Sequence, residues 1–330
     1  MGWTARVIDA GAAFRNPLED VEDGLFITSG DRRAKLSQFW VLLVLASVIA
    51  AGGVIGDATP AVIGAMIVAP LATPIYGVAL ATVTGSRSNL RASLLLLVEG
   101  IVVNILIGVL MGLITFERMP LDANPQVLGR TAPTLLDLIV AVTVGVAGSF
   151  ALVRRDVSNI LAGVAIAISL VPVLAVVGIT LGAGRLDLAW GALILFLTNA
   201  AAIIVAGIVV FTAAGYQRDA AARGAHVGRR AKWIIAIFVI VLVIPLGAAS
   251  LRTYFYQRWQ EDVNAAAQAW ARGTAWHIEQ VTQTGGDIVV TAVGPYAPPP
   301  VDELRKAIRS TIPKGVKVKL IADSGQELPL

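Results

Sequence analysis

The chain has 330 residues, of which 56% are hydrophobic and 15% charged, and its mean hydropathy is +0.77. A soluble domain is nearer half apolar and a quarter charged, so this composition excludes an ordinary soluble protein. The apolar residues fall into nearly uncharged blocks of roughly 18 or more, which predicts an α-helical polytopic membrane protein. The formal net charge of +4 comes from basic residues between those blocks, where membrane topology explains them and no nucleic-acid partner is needed.

The residue types that build most metal and catalytic centres are scarce. The chain has no cysteine, which excludes disulfides and thiolate sites, and its two histidines, His226 and His277, stand alone. We therefore expect no cofactor and no metal site. Residues 1–24 contain no continuous apolar core, so we also expect no cleavable signal peptide.

Seven membrane-spanning helices are predicted in chain order. A cytoplasmic segment at residues 1–37 precedes a membrane core of six helices at 38–214, which divides into halves at 38–116 and 134–214. A basic cytoplasmic loop at 215–232 then leads to a seventh span at 233–251. The predicted spans are Phe39–Gly56, Pro60–Thr84, Leu90–Phe116, Leu135–Val153, Ser158–Leu181, Leu188–Ala214 and Trp233–Leu251.

The distribution of basic residues predicts the orientation of these spans. Alternate loops carry most of the arginines and lysines, and the side that holds them is expected to be cytoplasmic. This places the N-terminus in the cytoplasm and the chain end outside, in a bacterial inner membrane. The cytoplasmic set is Arg32, Arg33, Lys35, Arg87, Arg91, Arg154, Arg155, Arg218, Arg223, Arg229, Arg230 and Lys232, whereas the opposite loops hold Arg118, Arg130 and Arg185.

Residues 252–330 predict a small extracytoplasmic α+β domain. The segment 257–281 has the spacing of an amphipathic helix, and PPPVDELRKAIRST at 298–311 predicts a helix entered through prolines. DIVVTAVG at 287–294 and GVKVKLIAD at 315–323 alternate like strands. No catalytic or metal-ligand spacing occurs there, so an assembly or stabilising role is favoured over sensing or partner binding.

The stretch GAMIVAPLATPIYG, at residues 64–77, places Pro70 and Pro74 inside the second span. A shift of 98 residues puts Pro74 on Pro172 of IAISLVPVLAVVGI. This match predicts a 3+3 inverted repeat, because a second copy of three spans must insert upside down; chance similarity of two apolar sequences is the alternative. Broken helices at matching positions line the site in many transporters and channels. Pro70, Pro74 and Pro172 are therefore predicted to break their helices and to mark the functional centre.

Four apolar motifs occur in order along the chain: VIGAMIVAPLATPIYGVALATVTG, RTAPTLLDLIVAVTVGVAGSFAL, LAGVAIAISLVPVLAVVGITLG and GALILFLTNAAAIIVAG. With these motifs the chain resembles, over residues 23–211, the bacterial uncharacterised hydrophobic family called domain of unknown function 389. The resemblance implies an integral membrane protein of a kind found in bacteria and archaea. It implies no reaction, substrate or binding site.

Polar side chains within the predicted spans are the candidates for a solute or ion path. Glu99 lies near mid-depth of the third span, where a carboxyl is costly and usually faces the bundle interior or water. It could be a proton- or cation-linked group, or could bond a broken helix for structural reasons. Asn104 lies five positions further along the same span.

Other polar residues have structural explanations beside functional ones. Thr198 and Asn199, midway along the sixth span, could join helices by hydrogen bonds or contact a solute. Thr73 and Ser169 could satisfy carbonyl groups that the nearby prolines free. Two secondary candidates lie near helix ends. Asp57 is favoured as the N-cap of the second span, and Asp137, near the outer end of the fourth, is favoured as a solvated or cap-linked acid rather than a path residue.

The sequence features bear on three possible functions. A transporter or channel for a small solute or ion, with its path between two proline-broken helices, is favoured; the path would be lined by Glu99, Asn104, Thr73, Ser169, Thr198 and Asn199. The alternative is a structural or sensory membrane-assembly protein whose C-terminal domain makes the contacts. An enzyme is not expected, because the spans lack histidine, cysteine and paired acids. Expected partners are the lipid bilayer, a small solute or ion, and further copies of the chain in a homo-oligomer.

Overall fold

The structure is a computed structural model that describes residues 14–115, 121, 124–131, 133–160, 170–224, 255, 258–284, 287–294, 298–312, 316 and 318–323. The chain divides into two compact units, Met1–Gly247 and Ala248–Leu330. Three predicted features lie outside the described residues: the seventh span at 233–251, Ser169, and the end of the basic loop at 225–232.

The described part of the first unit is helical. Its α-helices are α1 (Leu18–Leu25), α2 (Arg32–Ile55), α3 (Thr59–Val68), α4 (Ala72–Thr84), α5 (Arg87–Thr115), α6 (Pro125–Leu128), α7 (Leu135–Val153), α8 (Leu170–Gly182), α9 (Leu186–Ala213) and α10 (Tyr216–Ala222), with a 3-10 helix at Arg155–Ile160. The helix α7 has the bounds predicted from the sequence. The helices α1, α6 and α10 and the 3-10 helix fall in segments that were predicted without helical structure or, at 158–160, as the start of the fifth span.

Four helices, α2, α5, α7 and α9, are long and apolar enough to cross a membrane. The pair α3 and α4 could make a fifth span, and α8 is a shorter apolar helix. The first unit therefore has the helices of a membrane protein, whereas the predicted number of seven spans goes beyond what the described residues contain.

The second predicted span is two helices, not one. Helices α3 and α4 meet at residues 69–71 with a bend of 42°, which confirms a break at Pro70. Pro74 is not at this break, because it is the third residue of α4, where the first-turn N–H groups have no helical acceptor and proline is tolerated. Pro172 has the same position in α8, and the residues before that helix are not described.

The turn between α2 and α3 differs from the sequence prediction. Ala58, rather than Asp57, is the N-cap of α3, and no side chain caps this helix. Asp57 is exposed and adopts a left-handed conformation with φ of 47°, which aspartate tolerates better than most residues. The tight reversal, in which Ala58 N–H donates to the Gly53 carbonyl at 2.8 Å, moves the helix start one residue on.

Helices α4 and α8 form the centre of the first unit. Nearly every residue of each is buried, including Leu80 in α4 and Leu174 in α8. Both helices are apolar on all sides, which is the pattern of a helix surrounded by other helices. Around them, α2, α5, α7 and α9 expose large apolar side chains on their outer faces, as expected for surfaces that contact lipid.

Glycines allow α5 and α8 to cross at very short range. Gly108 and Gly112 on α5 lie against the backbone of α8 near Ala175 and Ile179, while Gly178 on α8 lies against Ile105 and Gly108. A Cβ atom built on Gly108 would be 2.7 Å from the Ala175 carbonyl oxygen. Pairs of glycines four residues apart permit this approach of two membrane helices.

The C-terminal ends of α2 and α7 are capped by asparagine side chains from distant segments. Asn124 Nδ2 donates to the Val54 carbonyl at 2.9 Å, and Asn16 Nδ2 donates to the Leu152 carbonyl at 2.8 Å. The Asn16 backbone N–H also donates to Val153 at 2.7 Å. Carbonyl groups at a helix end have no partner within the helix, so these bonds satisfy groups that would be costly to bury.

The second unit is a three-stranded sheet with helices. Its order is a helix at 258–271 (α11), β1 (His277–Thr284), β2 (Asp287–Val293), α12 (Val301–Thr311) and β3 (Val318–Asp323). The strands follow the order β1-β2-β3, with β1 antiparallel and β3 parallel to β2. Strand β1 corrects the prediction of one helix over 257–281, because Gly273 takes a positive φ of 77° just after α11 and the chain turns into the sheet.

Substitution of Gly178 tests the close crossing of α5 and α8. We expect Gly178→Ala to lower the free energy of unfolding by about 1–3 kcal/mol, because the added methyl must push the helices apart. Gly52→Ala on α2 is the matched control: no atom lies within 4 Å of the position of its Cβ. That change should raise the free energy by about 0.5–1 kcal/mol. Thermal unfolding in detergent measures both, and equal effects would contradict the described crossing.

Candidate functional site

The break between α3 and α4 leaves backbone N–H and C=O groups outside regular helix within an apolar unit. Only one hydrogen bond crosses directly from the break into α4: the Thr73 backbone N–H donates to the Pro70 carbonyl at 3.1 Å. Pro70 and Thr73 are both half-buried, and Leu71 between them is almost completely buried. Irregular backbone at membrane depth is tolerated only where protein or a water-filled cavity surrounds it.

Asn104 lies on the face of α5 that looks towards this break. Its side chain is completely buried, and neither its amide nitrogen nor its oxygen has a partner among the described residues. One turn before it, Gly100 lies beside Leu71, and one turn after it, Gly108 lies beside Ala175 of α8. Burying an amide without a hydrogen-bond partner is costly. The Asn104 side chain therefore keeps a donor and an acceptor available for hydrogen bonding between the break and α8.

A separate cavity of about 240 Å³ lies at the first turn of α8. Among the described residues, its polar lining is Arg130, which follows α6, Asp137 at the start of α7 and Asn199 of α9. Val173, next to Pro172, forms part of its apolar wall. The remaining lining residues are Gly129, Val140, Ala141, Val144, Leu195 and Ile203. A space of this size holds several water molecules or a small solute.

Asp137 has a structural role on one side of its carboxylate. Thr134 is the N-cap of α7, and its backbone N–H and its hydroxyl donate to Asp137 Oδ2 at 2.8 and 2.6 Å. The Asp137 N–H donates back to the Thr134 hydroxyl at 3.3 Å, which completes a capping box. The favoured interpretation of Asp137 as a cap is confirmed, and the same residue also borders the cavity.

Arg130 brings a positive charge to the cavity. Its Nη1 donates to the carbonyl and the side-chain oxygen of Gln126 at 2.8 and 3.0 Å, while its Nε is buried without a partner among the described residues. Burial lowers the pKa of the Arg130 guanidinium. From the sequence, Arg130 is predicted only as a loop charge, since nothing in a single sequence shows that the loop folds back over the bundle.

The segment around α6 holds Arg130 in place. Gln126 Nε2 donates to the Thr59 hydroxyl at the start of α3, at 2.9 Å. Asn124 Oδ1 accepts from the backbone N–H groups of Gln126 and Val127 and so caps α6. Asn124 and Gln126 are both buried. The sequence did not predict these contacts, because both residues lie between the apolar blocks.

Asn199 lines the cavity from the middle of α9. It is the fourteenth residue of α9, which has 28, so it lies about midway along a helix long enough to cross a membrane. The residue is half-buried, and its side-chain oxygen is buried and has no partner among the described residues. Thr198, beside it, is buried. A buried amide oxygen without a partner, on a residue that lines a cavity, is available to a solute.

The remaining predicted site residues lie elsewhere. Glu99 is exposed on the outer side of α5 and lines a groove with Arg32, Arg87 and Arg91, not the cavity beside Pro172. Helical periodicity could not assign it to a face, because α5 is apolar on every side. Asp57 is exposed in the turn before α3, and Ser169 lies outside the described residues. Within the described part of the chain, no three histidine or acidic residues cluster as metal ligands would.

Long apolar helices, a broken helix pair and a polar cavity among them define the first unit as that of a multi-helical membrane protein. The model of the family described as "Domain of unknown function (DUF389)" matches residues 66–205. The chain is 32% identical over 232 residues to the uncharacterized protein MJ0678 of the archaeon Methanocaldococcus jannaschii, covering 67% of this chain and 71% of that protein. The chain therefore belongs to this family of unknown function. No solved structure matches it.

The stability of an Asn199 variant separates a structural amide from one that serves a solute. We expect Asn199→Leu to raise the free energy of unfolding by about 1 kcal/mol, because an unpartnered buried polar group costs about 1–3 kcal/mol. Ser149→Ala is the control: the Ser149 hydroxyl donates to the Gly145 carbonyl at 2.7 Å, and its loss should cost about 1 kcal/mol. A strong destabilisation by Asn199→Leu in thermal unfolding would show that the amide joins helices.

Proposed function

We propose that the first unit is an inverted repeat and that it conducts or transports a small solute or ion along a path between its two halves. The observation that carries this proposal is the cavity at the first turn of α8. It presents a carboxylate and a guanidinium at the beginning of α7 and, midway along α9, an amide oxygen that has no partner among the described residues. Polar groups at such depth are costly and usually serve a substrate or ion pathway.

The positions of the helices support the repeat. The same shift of 98 residues that aligns Pro74 with Pro172 carries α4, Ala72–Thr84, onto α8, Leu170–Gly182. It also carries the end of α2 at Ile55 onto the end of α7 at Val153, and the end of α5 at Thr115 onto the end of α9 at Ala213. This agreement of helix ends supports the repeat over chance similarity between apolar stretches.

The packing supports a two-fold relation between the halves. Helix α8 packs along α5, and α4 packs against α9, so the central helix of each half contacts the third helix of the other. The asparagine caps are reciprocal as well. Asn16, before the first half, bonds to the end of α7, and Asn124, before the second half, bonds to the end of α2. Val54 and Leu152, whose carbonyls accept these bonds, are also 98 residues apart.

The chemistry of the path favours a small, hydrated or polar species. Asp137 and Arg130 bring groups of opposite charge to the end where α7 begins, and the other polar residue in the described lining is Asn199, a neutral amide midway along α9. Asn104, between the α3–α4 break and α8, offers a second neutral amide within the core. The cavity is smaller than the 300–1,000 Å³ that usually hold a drug-sized ligand, which favours an ion or a small solute.

We also propose the location, orientation and oligomeric state of the protein. We place the protein in a bacterial inner membrane, with the arginine-rich helix ends in the cytoplasm and the α+β domain outside, and we expect no enzymatic activity. Large apolar side chains such as Leu106, Leu110 and Leu113 are exposed along α5. Such surfaces suit lipid or a second copy of the chain, and we expect a homo-oligomer.

Flux through reconstituted vesicles tests the proposal. Vesicles that contain the full chain should swell in iso-osmotic potassium chloride, potassium phosphate, glycine or glycerol faster than empty vesicles, for at least one of these solutes. Asn199→Leu should lower that rate by about tenfold or more, because it removes a group worth about 1–3 kcal/mol to a bound polar species. Light scattering measures the rates.

Thr143→Val is the matched control for this experiment. Thr143 is an exposed residue of α7 whose hydroxyl bonds only within its own helix, to the Ile139 carbonyl at 2.8 Å. Its replacement should leave the swelling rates unchanged. Wild-type vesicles that behave like empty ones with all four solutes would contradict the transport proposal and favour the structural or sensory alternative.

A further inference from the structure

The face of the bundle that carries Glu99 contains a groove that the transport path does not use. It has a volume of about 650 Å³ and lies between the beginnings of α2 and α5. Three arginines line it: Arg32 of α2 and Arg87 and Arg91 of α5. All three are exposed, and none forms an ion pair with an acidic residue in the described part of the chain.

Neighbouring charges do not neutralise these arginines. Asp31 accepts the backbone N–H groups of Arg33 and Ala34 as the N-cap of α2, and Asp23 is paired with Lys35 at 2.8 Å. The one acidic lining residue is Glu99, eight residues after Arg91 and therefore about 12 Å further along α5. Three arginines against one carboxylate leave the groove with a net charge of +2, concentrated at the helix beginnings.

The rest of the groove is apolar and faces outwards. Leu36 and Leu96 lie along its floor with Trp40, which is half-buried about 12 Å beyond Arg32 on α2. Tryptophan at this depth is typical of the interface between headgroups and acyl chains. Leu95 of α5 also lines the groove and is exposed, and α5 continues beyond it with exposed Val98 and Val102. An acyl chain has an apolar surface to follow between α2 and α5.

We propose that this groove binds an anionic phospholipid, with its phosphate held by Arg32, Arg87 and Arg91 and its acyl chains along the seam of α2 and α5. Arginine matches phosphate oxygens with paired N–H donors, and basic groups at a membrane surface attract anionic headgroups. The apolar floor and Trp40 account for the part of the groove that a free phosphate ion would not use. Glu99 lies at the acyl end, away from the phosphate.

Quenching of Trp40 fluorescence measures this binding at the groove itself. The full chain is reconstituted in phosphatidylcholine vesicles, and phosphatidylglycerol with brominated acyl chains is titrated in. The Trp40 signal is the difference between the wild type and Trp40→Phe, since other tryptophans contribute background. We expect phosphatidylglycerol to quench at lower mole fraction than brominated phosphatidylcholine.

Variants of the arginines test the assignment. Arg32→Gln, Arg87→Gln and Arg91→Gln should each weaken the apparent affinity about fivefold, the equivalent of about 1 kcal/mol for one basic group at a membrane surface. Arg33→Gln is the matched control, because Arg33 is exposed at the same end of α2 but does not line the groove. Glu99→Gln should leave binding unchanged or tighten it, because it removes the one opposing charge.

Four results would overturn the proposal. Equal weakening by Arg33→Gln would indicate general surface attraction, and equal quenching by both brominated lipids would indicate no headgroup selection. Relief of the quenching by millimolar inorganic phosphate would indicate a site for the free ion. A smaller oligomer for the triple arginine variant in lipid-free detergent would indicate an interface between copies of the chain.

Discussion

The hydrogen bonds that close the ends of α2 and α7 hold the membrane unit together. Carbonyl groups at a helix end are costly to bury without partners, and each of these ends is capped by an asparagine from a distant segment: Asn124 bonds to Val54, and Asn16 bonds to Leu152. These bonds tie the short elements next to the asparagines, α1 and α6, to the bundle. Arg130, two residues after α6, thereby borders the cavity.

Close packing of helices determines the centre of the unit. Helices α4 and α8 are buried on nearly all sides, and the approach of α8 to α5 depends on glycines that lie against facing backbone, among them Gly108, Gly112 and Gly178. In a membrane there is little hydrophobic drive between helices, so close packing of small residues must supply the association. A tightly packed centre leaves little room for solvent, which makes the cavity beside Val173, the Asn104 amide and the Asn199 amide oxygen exceptional; neither of these groups has a partner among the described residues.

The sequence predicted the parts of this fold that depend on hydropathy and local chemistry. Helix α7 has its predicted bounds, the second span breaks at Pro70, and Asp137 caps its helix. The sequence did not predict features that depend on contacts between segments far apart in the chain. A span that is apolar on every side gives no periodicity to orient Glu99, which faces outwards, and Arg130 reaches the cavity only because its loop folds back. Strand β1 was hidden in a helix-like pattern that Gly273 ends.

The central claim is that the two halves have opposite topology, and the side from which each asparagine segment is reached tests it most directly. The chain has no cysteine, so single cysteines can be placed at Asp20, in α1 after Asn16, and at Leu128, in α6 after Asn124; both residues are exposed. The measurement is labelling of intact cells with a membrane-impermeant maleimide. We predict that Leu128→Cys is labelled at once and Asp20→Cys only after the membrane is permeabilised. Labelling of both from the same side would contradict the inverted repeat.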